Sequence, residues 1–228
     1  MDLVMATSRG YGIAPLIENP NLNIPIVVEP SGGAYIRELT DKAVHIIQHS
    51  NLNPENIHVY FIAGLPDLTI KLKDRRYQYH EVIFPESPEQ ATQRLIETLH
   101  NAEGRIKSLG AKPCFATIAP MSISSWNNHC LDHHKTAHLI HHQQYEDMQD
   151  LLIQATIDIN HHIIELNINN NMFTPKLGET IVHKQNSHKQ HRIRYGRLDK
   201  DGVHLTEQTN YMWANIFLES SKRNRSYH

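Results

Sequence analysis

Four short segments, well separated along the chain, hold groups suited to acyl-transfer chemistry. Ser8 closes Ala6-Thr7-Ser8, directly after the apolar run Leu3-Val4-Met5-Ala6 and before helical spacing at Ile13, Leu16 and Ile17. A serine between strand and helix has its hydroxyl at the sheet edge and its own N–H at a helix N-terminus. Both suit a nucleophile and an oxyanion donor, although taken alone the position reads first as an ordinary N-cap. Ser31-Gly32-Gly33-Ala34 lets a ligand approach a backbone N–H closely, or serves as a plain turn. Gly64-Leu65-Pro66-Asp67 is a third turn of this kind. Asp201-Gly202-Val203-His204 sets a carboxylate three residues ahead of a histidine, across a glycine. Such a carboxylate can hold one ring nitrogen and leave the other free as a base.

The elements that must position these segments follow from the hydrophobic pattern. Short β-branched or apolar runs at Leu3–Ala6, Ile24–Val28, Ile57–Ala63 and Pro113–Ile118 predict strands,. Helical spacing marks Ile36 to Ile47, Ala91 to Leu109 with Gly110 as its stop, about His138 to Asn167, and Glu207 to Glu219,. Strands alternating with helices imply parallel pairing and a three-layer α/β/α sandwich with a mainly parallel, flavodoxin-like central sheet. In such sheets reactive loops gather at the carboxyl ends of the strands. The chain is expected to form one domain over 1–221. It carries insertions at about 66–85 and 120–140, a basic loop at about 170–200 and a basic tail at 222–228. Leu65 to Pro85 reads as loop.

Composition narrows the class. The 228 residues carry a formal net charge of −2 and 39% hydrophobic residues, which excludes collagen, low-complexity disorder and a disulfide scaffold. No apolar run approaches the roughly 18–20 residues of a membrane helix, and no secretory leader pattern opens the chain. Cys114 and Cys130, the two cysteines, fit a reducing compartment, so a soluble cytoplasmic protein is expected. Histidine is unusually common, at 18 residues. His134, His138, His141 and His142 recur at helical spacing, with His129, Cys130 and His133 just upstream. Paired histidines on a helix can bind zinc. Yet no paired cysteines or fixed carboxylate accompany them, so a solvated polar face is expected and no metal is assigned. Between His183 and Leu198 stand Lys184, Lys189, Arg192, Arg194 and Arg197 with no acid. This loop reads first as a solvated loop; leading straight into Asp201-His204, it could alternatively rim the site and favour anions. With Lys222, Arg223 and Arg225 it is also where nucleic acid could be met.

The four segments, in their order and at successive strand ends, resemble the SGNH hydrolase family, the GDSL-type esterases and lipases. Ser8 falls at that family's nucleophile, Gly33 at its oxyanion glycine, Gly64 and Asp67 in its third block, and Asp201 with His204 at its C-terminal Asp-x-x-His. Leu3 to Ile17 resembles the first block and Gly33-Ala34-Tyr35-Ile36-Arg37-Glu38-Leu39 the second. Among family members it looks closest to the hydrolase-like domains of some retroelement open reading frames. The resemblance implies an ester hydrolase in which Ser8 attacks a small acyl ester. His204 would take the proton, Asp201 would orient the ring, and the N–H groups of Ser8 and Gly33 would hold the oxyanion. Gly64 and Asp67 would contact substrate, and no cofactor is implied. Two departures stand out. The family's Gly-Asp-Ser is Ala6-Thr7-Ser8, and its oxyanion Asn is Pro66, which lacks a donor,. Losing one such donor typically costs about 10²–10³ in kcat. The alternative implied by these departures is a catalytically degenerate binding or assembly module of a mobile-element protein.

Overall fold

The computed structural model describes residues 1–18, 25–74, 79–134, 142–184 and 191–226, without the side chains of 73–74, 79–80, 131–134 and 142–143. Four strands, β1 (Asp2–Ala6), β2 (Ile26–Pro30), β3 (His58–Ile62) and β6 (Lys112–Phe115), form a parallel sheet in the order β2-β1-β3-β6. Val4 of β1 pairs with Val28 on one side and Tyr60 on the other. β1 and β3 are buried along their whole length, as central parallel strands covered on both faces must be.

Because side chains alternate across a strand, neighbouring residues feed two separate cores. Leu3, Met5, Val59, Phe61 and Phe115 pack against α2 (Ile36–His49), α4 (Pro88–Lys107) and α6 (His142–Asn169). Val4, Ala6, Tyr60, Ile62 and Cys114 pack against α1 (Gly10–Ile17) and α7 (Glu207–Ser226). The result is the three-layer α/β/α sandwich that the alternating pattern implied. The spacing that marked α2 and α4 is their buried stripe: Ile36, Leu39, Ala43 and Ile47 on the first, Ala91, Leu95, Leu99, Ala102 and Ile106 on the second.

Three stretches read as loop contain regular structure. Residues 65–85 hold a short helix, α3 (Leu65–Leu68), and an antiparallel hairpin of β4 (Ile70–Asp74) with β5 (Tyr79–Ile83). The stretch after Pro120 contains α5 (Ile123–His134), and the basic loop contains a small hairpin of β7 (Val182–Lys184) with β8 (His191–Ile193). The basic tail is also different: α7 runs on through it to Ser226. Arg225 is drawn inward by Asp2, at 2.5 Å. Asp2, wholly buried at the start of β1, also accepts from Ser221 and lies 3.4 Å from His58. Burial opposes its charge, but these partners hold its carboxyl below the usual carboxylate range,. Among the described residues no helix is long and apolar enough to cross a membrane.

Side-chain amides replace missing strand neighbours. Asn167 of α6 accepts from Phe115 N at 3.0 Å and donates to Phe115 O at 2.7 Å. Asn160, two turns earlier on the same face, does the same for Ile118, at 2.6 and 2.9 Å. The outer edge of β6 and the chain beyond it are thereby closed, as exposed strand edges generally must be. Asn127 of α5 grips Val82 of β5 in the same way, at 2.8 and 2.9 Å. Asn167→Ala leaves a buried N–H and C=O without partners, at about 1–3 kcal/mol each. Urea unfolding should show a loss of about 2–4 kcal/mol, and an unchanged midpoint would show that the edge is satisfied without the amide.

Candidate active site

The carboxyl ends of β1, β2 and β3 open on one cleft of about 250 Å³. The turn after β1 brings Thr7, Ser8 and Arg9 to it, the turn after β2 brings Gly32 and Gly33, and α3 brings Leu65 and Pro66. Thr69 and Lys71 come from the start of the first hairpin, and Val82, Met121 and Trp126 form an apolar wall. Val203 and His204 complete it from the C-terminal loop.

Ser8 lies in a tight turn closed by Gly10 N–H donating to Thr7 O at 2.9 Å and Tyr11 N–H to Ser8 O at 3.2 Å. The N-cap of α1 is Arg9, without a side-chain cap bond, so the Ser8 hydroxyl is not a helix cap. Among the described residues that hydroxyl makes no hydrogen bond, to His204 or to any other group. The glycine turn is drawn in beside it because Ser31 N–H donates to Ala6 O at 2.8 Å. A methyl group on Gly32 would stand 4.0 Å from Ser8 Cβ. Gly33 has φ +71°, a conformation costly for any residue with a side chain.

His204 is held from behind. Its Nδ1 meets Asp201 Oδ2, and Asp201 Oδ1 accepts from the backbone N–H groups of Val203 and His204, each at 2.9 Å. Burial raises the Asp201 pKa, but these bonds outweigh it and keep the carboxyl ionised below its usual range,. The His204 side chain is 48% exposed against 13% for Asp201, and with Nδ1 taken by Asp201 the other ring nitrogen, Nε2, is not engaged by that carboxylate. Gly202 makes the turn possible at φ +72°. A Cβ there would lie 2.6 Å from Ser125 Cβ, while its carbonyl accepts from Ser122 N–H at 2.8 Å.

Ser8, Gly33, Pro66 and His204 thus share one cleft, with Asp201 behind His204. Gly64 and Asp67, expected to touch substrate, lie off its lining. Asp67 is buried and accepts the Ile36 N–H at 3.2 Å, at the start of α2, so it steadies the loop that carries Gly33. Gly64 packs against Ile118. The described part of the basic loop does not line this cleft; Arg192 lines a separate depression together with Glu146 and Asp150. In the histidine cluster only His129 and Cys130 have described side chains; those of His133, His134, His138, His141 and His142 lie outside the described residues. Among the described residues no group of three or more His, Cys, Asp or Glu is placed to hold a metal ion.

Two cleft residues went unread in the sequence. Arg9 is buried, donating from Nε to Val203 O at 2.9 Å, from Nη1 to Ala119 O at 2.5 Å and from Nη2 to Pro120 O at 3.0 Å. Nothing in Ser8-Arg9-Gly10 signals that burial. Lys71 did have a signal: Ile70-Lys71-Leu72-Lys73 alternates apolar and basic residues, the pattern of a half-buried strand.

No protein-family model matches the chain, and no curated protein matches it in sequence. Solved structures do. A GDSL-like lipase from Bacteroides thetaiotaomicron matches with TM-score 0.57 at 14% identity, over 97% of this chain and 87% of that one. A member of the lipolytic protein G-D-S-L family from Veillonella parvula matches with TM-score 0.58 at 10% identity, over 97% and 98%. An acetyl xylan esterase matches with TM-score 0.52 at 14% identity, over 96% and 98%. The fold is that of the GDSL-type, or SGNH, hydrolases.

Burial pushes Asp67 up to about 6, against opposing help from the Ile36 N–H and the Arg94 charge. An unfolded aspartate titrates near 3.9, so the folded state binds the extra proton between those values. Stability from this group is present below about pH 4 and is lost as pH rises through about 6. Asp67→Asn keeps an acceptor for Ile36 and cannot ionise. At pH 7.5 it should raise unfolding free energy by up to about 3 kcal/mol, and the gain should fade toward pH 4. A gain independent of pH would contradict the assignment.

Proposed function

We infer that the protein is a serine ester hydrolase acting on small acyl esters. The observation that carries this reading is His204, braced at Nδ1 by ionised Asp201 and lining the cleft that Ser8 and Gly33 also line. Ser8 Oγ attacks the ester carbonyl carbon while its proton passes to His204 Nε2. The resulting oxyanion faces the N–H groups of Ser8 and Gly33. His204 then returns the proton to the leaving alkoxide, and water repeats the sequence on the acyl-serine. The apolar wall of Leu65, Val82, Met121 and Trp126 suits a short acyl chain, and a volume of about 250 Å³ suits a small one. Neighbours whose names include lipase and acetyl xylan esterase support this chemistry for the fold.

A non-catalytic module on the same fold is the second reading. Pro66, without a donor, and the unlinked Ser8 hydroxyl favour it, although apo contacts of catalytic groups are often loose. Turnover of an aryl acetate separates the two. Ser8→Ala and His204→Gln should each lower kcat by at least about 10³-fold, and Asp201→Asn by about 10²–10⁴-fold. Turnover that survives Ser8→Ala would end the hydrolase reading.

A further inference from the structure

We propose that Lys71 is a catalytic residue of this cleft, its ammonium group donating a hydrogen bond to the oxyanion beside Gly33; this rests on the hydrolase reading above. Three cationic or ionisable donors line the cleft: Arg9, Lys71 and His204. The Arg9 guanidinium is fully engaged with the carbonyls of Val203, Ala119 and Pro120. His204 is held by Asp201 and must carry the proton of Ser8. Lys71 is different: among the described residues its ammonium group forms no ion pair and no hydrogen bond. Its Nζ stands 3.8 Å from the place a Cβ on Gly33 would occupy. At the neighbouring glycine of the same turn, a Cβ on Gly32 would be 4.0 Å from Ser8 Cβ. The cation and Ser8 therefore both lie beside one turn in one cleft, and a carbonyl attacked by Ser8 comes within reach of the ammonium.

The cleft needs such a donor. Pro66 occupies its wall with no N–H, which leaves two backbone N–H groups for the developing charge. When Ser8 Oγ bonds the carbonyl carbon and its proton moves to His204 Nε2, the carbonyl π pair becomes a full negative charge on oxygen. Lys71 stabilises that charge by an N–H···O⁻ bond and keeps its own proton, so the step balances without another reactant. A charge-assisted bond is about twice as strong as a neutral one, and a donor made only to the oxyanion acts on kcat more than on KM.

Lys71→Met keeps the aliphatic stem of an exposed side chain and removes the charge. With a neutral aryl acetate, kcat should fall about 10–10²-fold with KM little changed, and Lys71→Arg should retain part of the rate. Inhibition by phenylboronic acid, which forms a tetrahedral anion on the serine, should weaken by a similar factor. An unchanged kcat in a wild-type protein whose turnover depends on Ser8 would overturn the Lys71 role alone. Loss confined to KM for a succinyl monoester would make Lys71 a substrate-anion subsite and would also overturn it. Wild-type turnover that survives Ser8→Ala would remove the hydrolase reading and this role together.

Discussion

The buried Arg9 guanidinium is the constraint on which the cleft depends. It follows Ser8 in the chain, and its fork reaches carbonyls in two distant loops, Val203 beside His204 and Ala119–Pro120 beyond β6. The position of Ser8 relative to His204 is therefore set by one rigid planar group rather than by long loops settling independently. Desolvation lowers the Arg9 pKa to about 10, with the Asp201 charge acting in the other direction, so the group remains cationic at neutral pH. A lysine would offer a point charge in place of a fork and could not span the same three acceptors. Trp213 of α7 packs at 5.8 Å from the guanidinium carbon, which ties the last helix to the same anchor.

Around that anchor, side-chain amides do the work of absent strands. Asn160 and Asn167 close the outer edge of β6, Asn127 joins the β4–β5 hairpin to α5, and Gln149 binds Ile123 N–H at 2.8 Å and Met121 O at 2.9 Å. Each amide supplies one donor and one acceptor to the backbone, as a neighbouring strand would. The segment from Phe115 to Ile123 is thereby fixed, and it carries the carbonyls that Arg9 requires and the Met121 wall of the cleft. Asp67 plays the matching part on the other side, receiving the first N–H of α2 and holding the turn that presents Gly33.

The sequence made the central sheet legible because β1, β2, β3 and β6 are short, apolar and bounded by turn residues. The Asp201-His204 contact was legible because a three-residue spacing across glycine leaves a carboxylate little choice of partner. What escaped were features decided by tertiary burial. Arg9 looks like any surface arginine until three carbonyls surround it. Asp67 looks like a ligand-facing acid until Ile36 N–H claims it. The β4–β5 hairpin was hidden by its basic and aromatic residues, although Ile70-Lys71-Leu72-Lys73 carried the period of a strand. α5 was hidden by Ser124, Ser125, Asn127 and Asn128, which favour turns when nothing packs on them.

The central claim is that Ser8 is a nucleophile activated by His204 in a cleft organised by Arg9. Intact-protein mass spectrometry after exposure to a small fluorophosphonate tests it most directly, because the reagent bonds only to a serine whose proton is taken by a nearby base. A single adduct that maps to Ser8 and disappears in Ser8→Ala and His204→Gln is the predicted result. No adduct under conditions that label an active serine esterase, or an adduct that persists in Ser8→Ala, would contradict it.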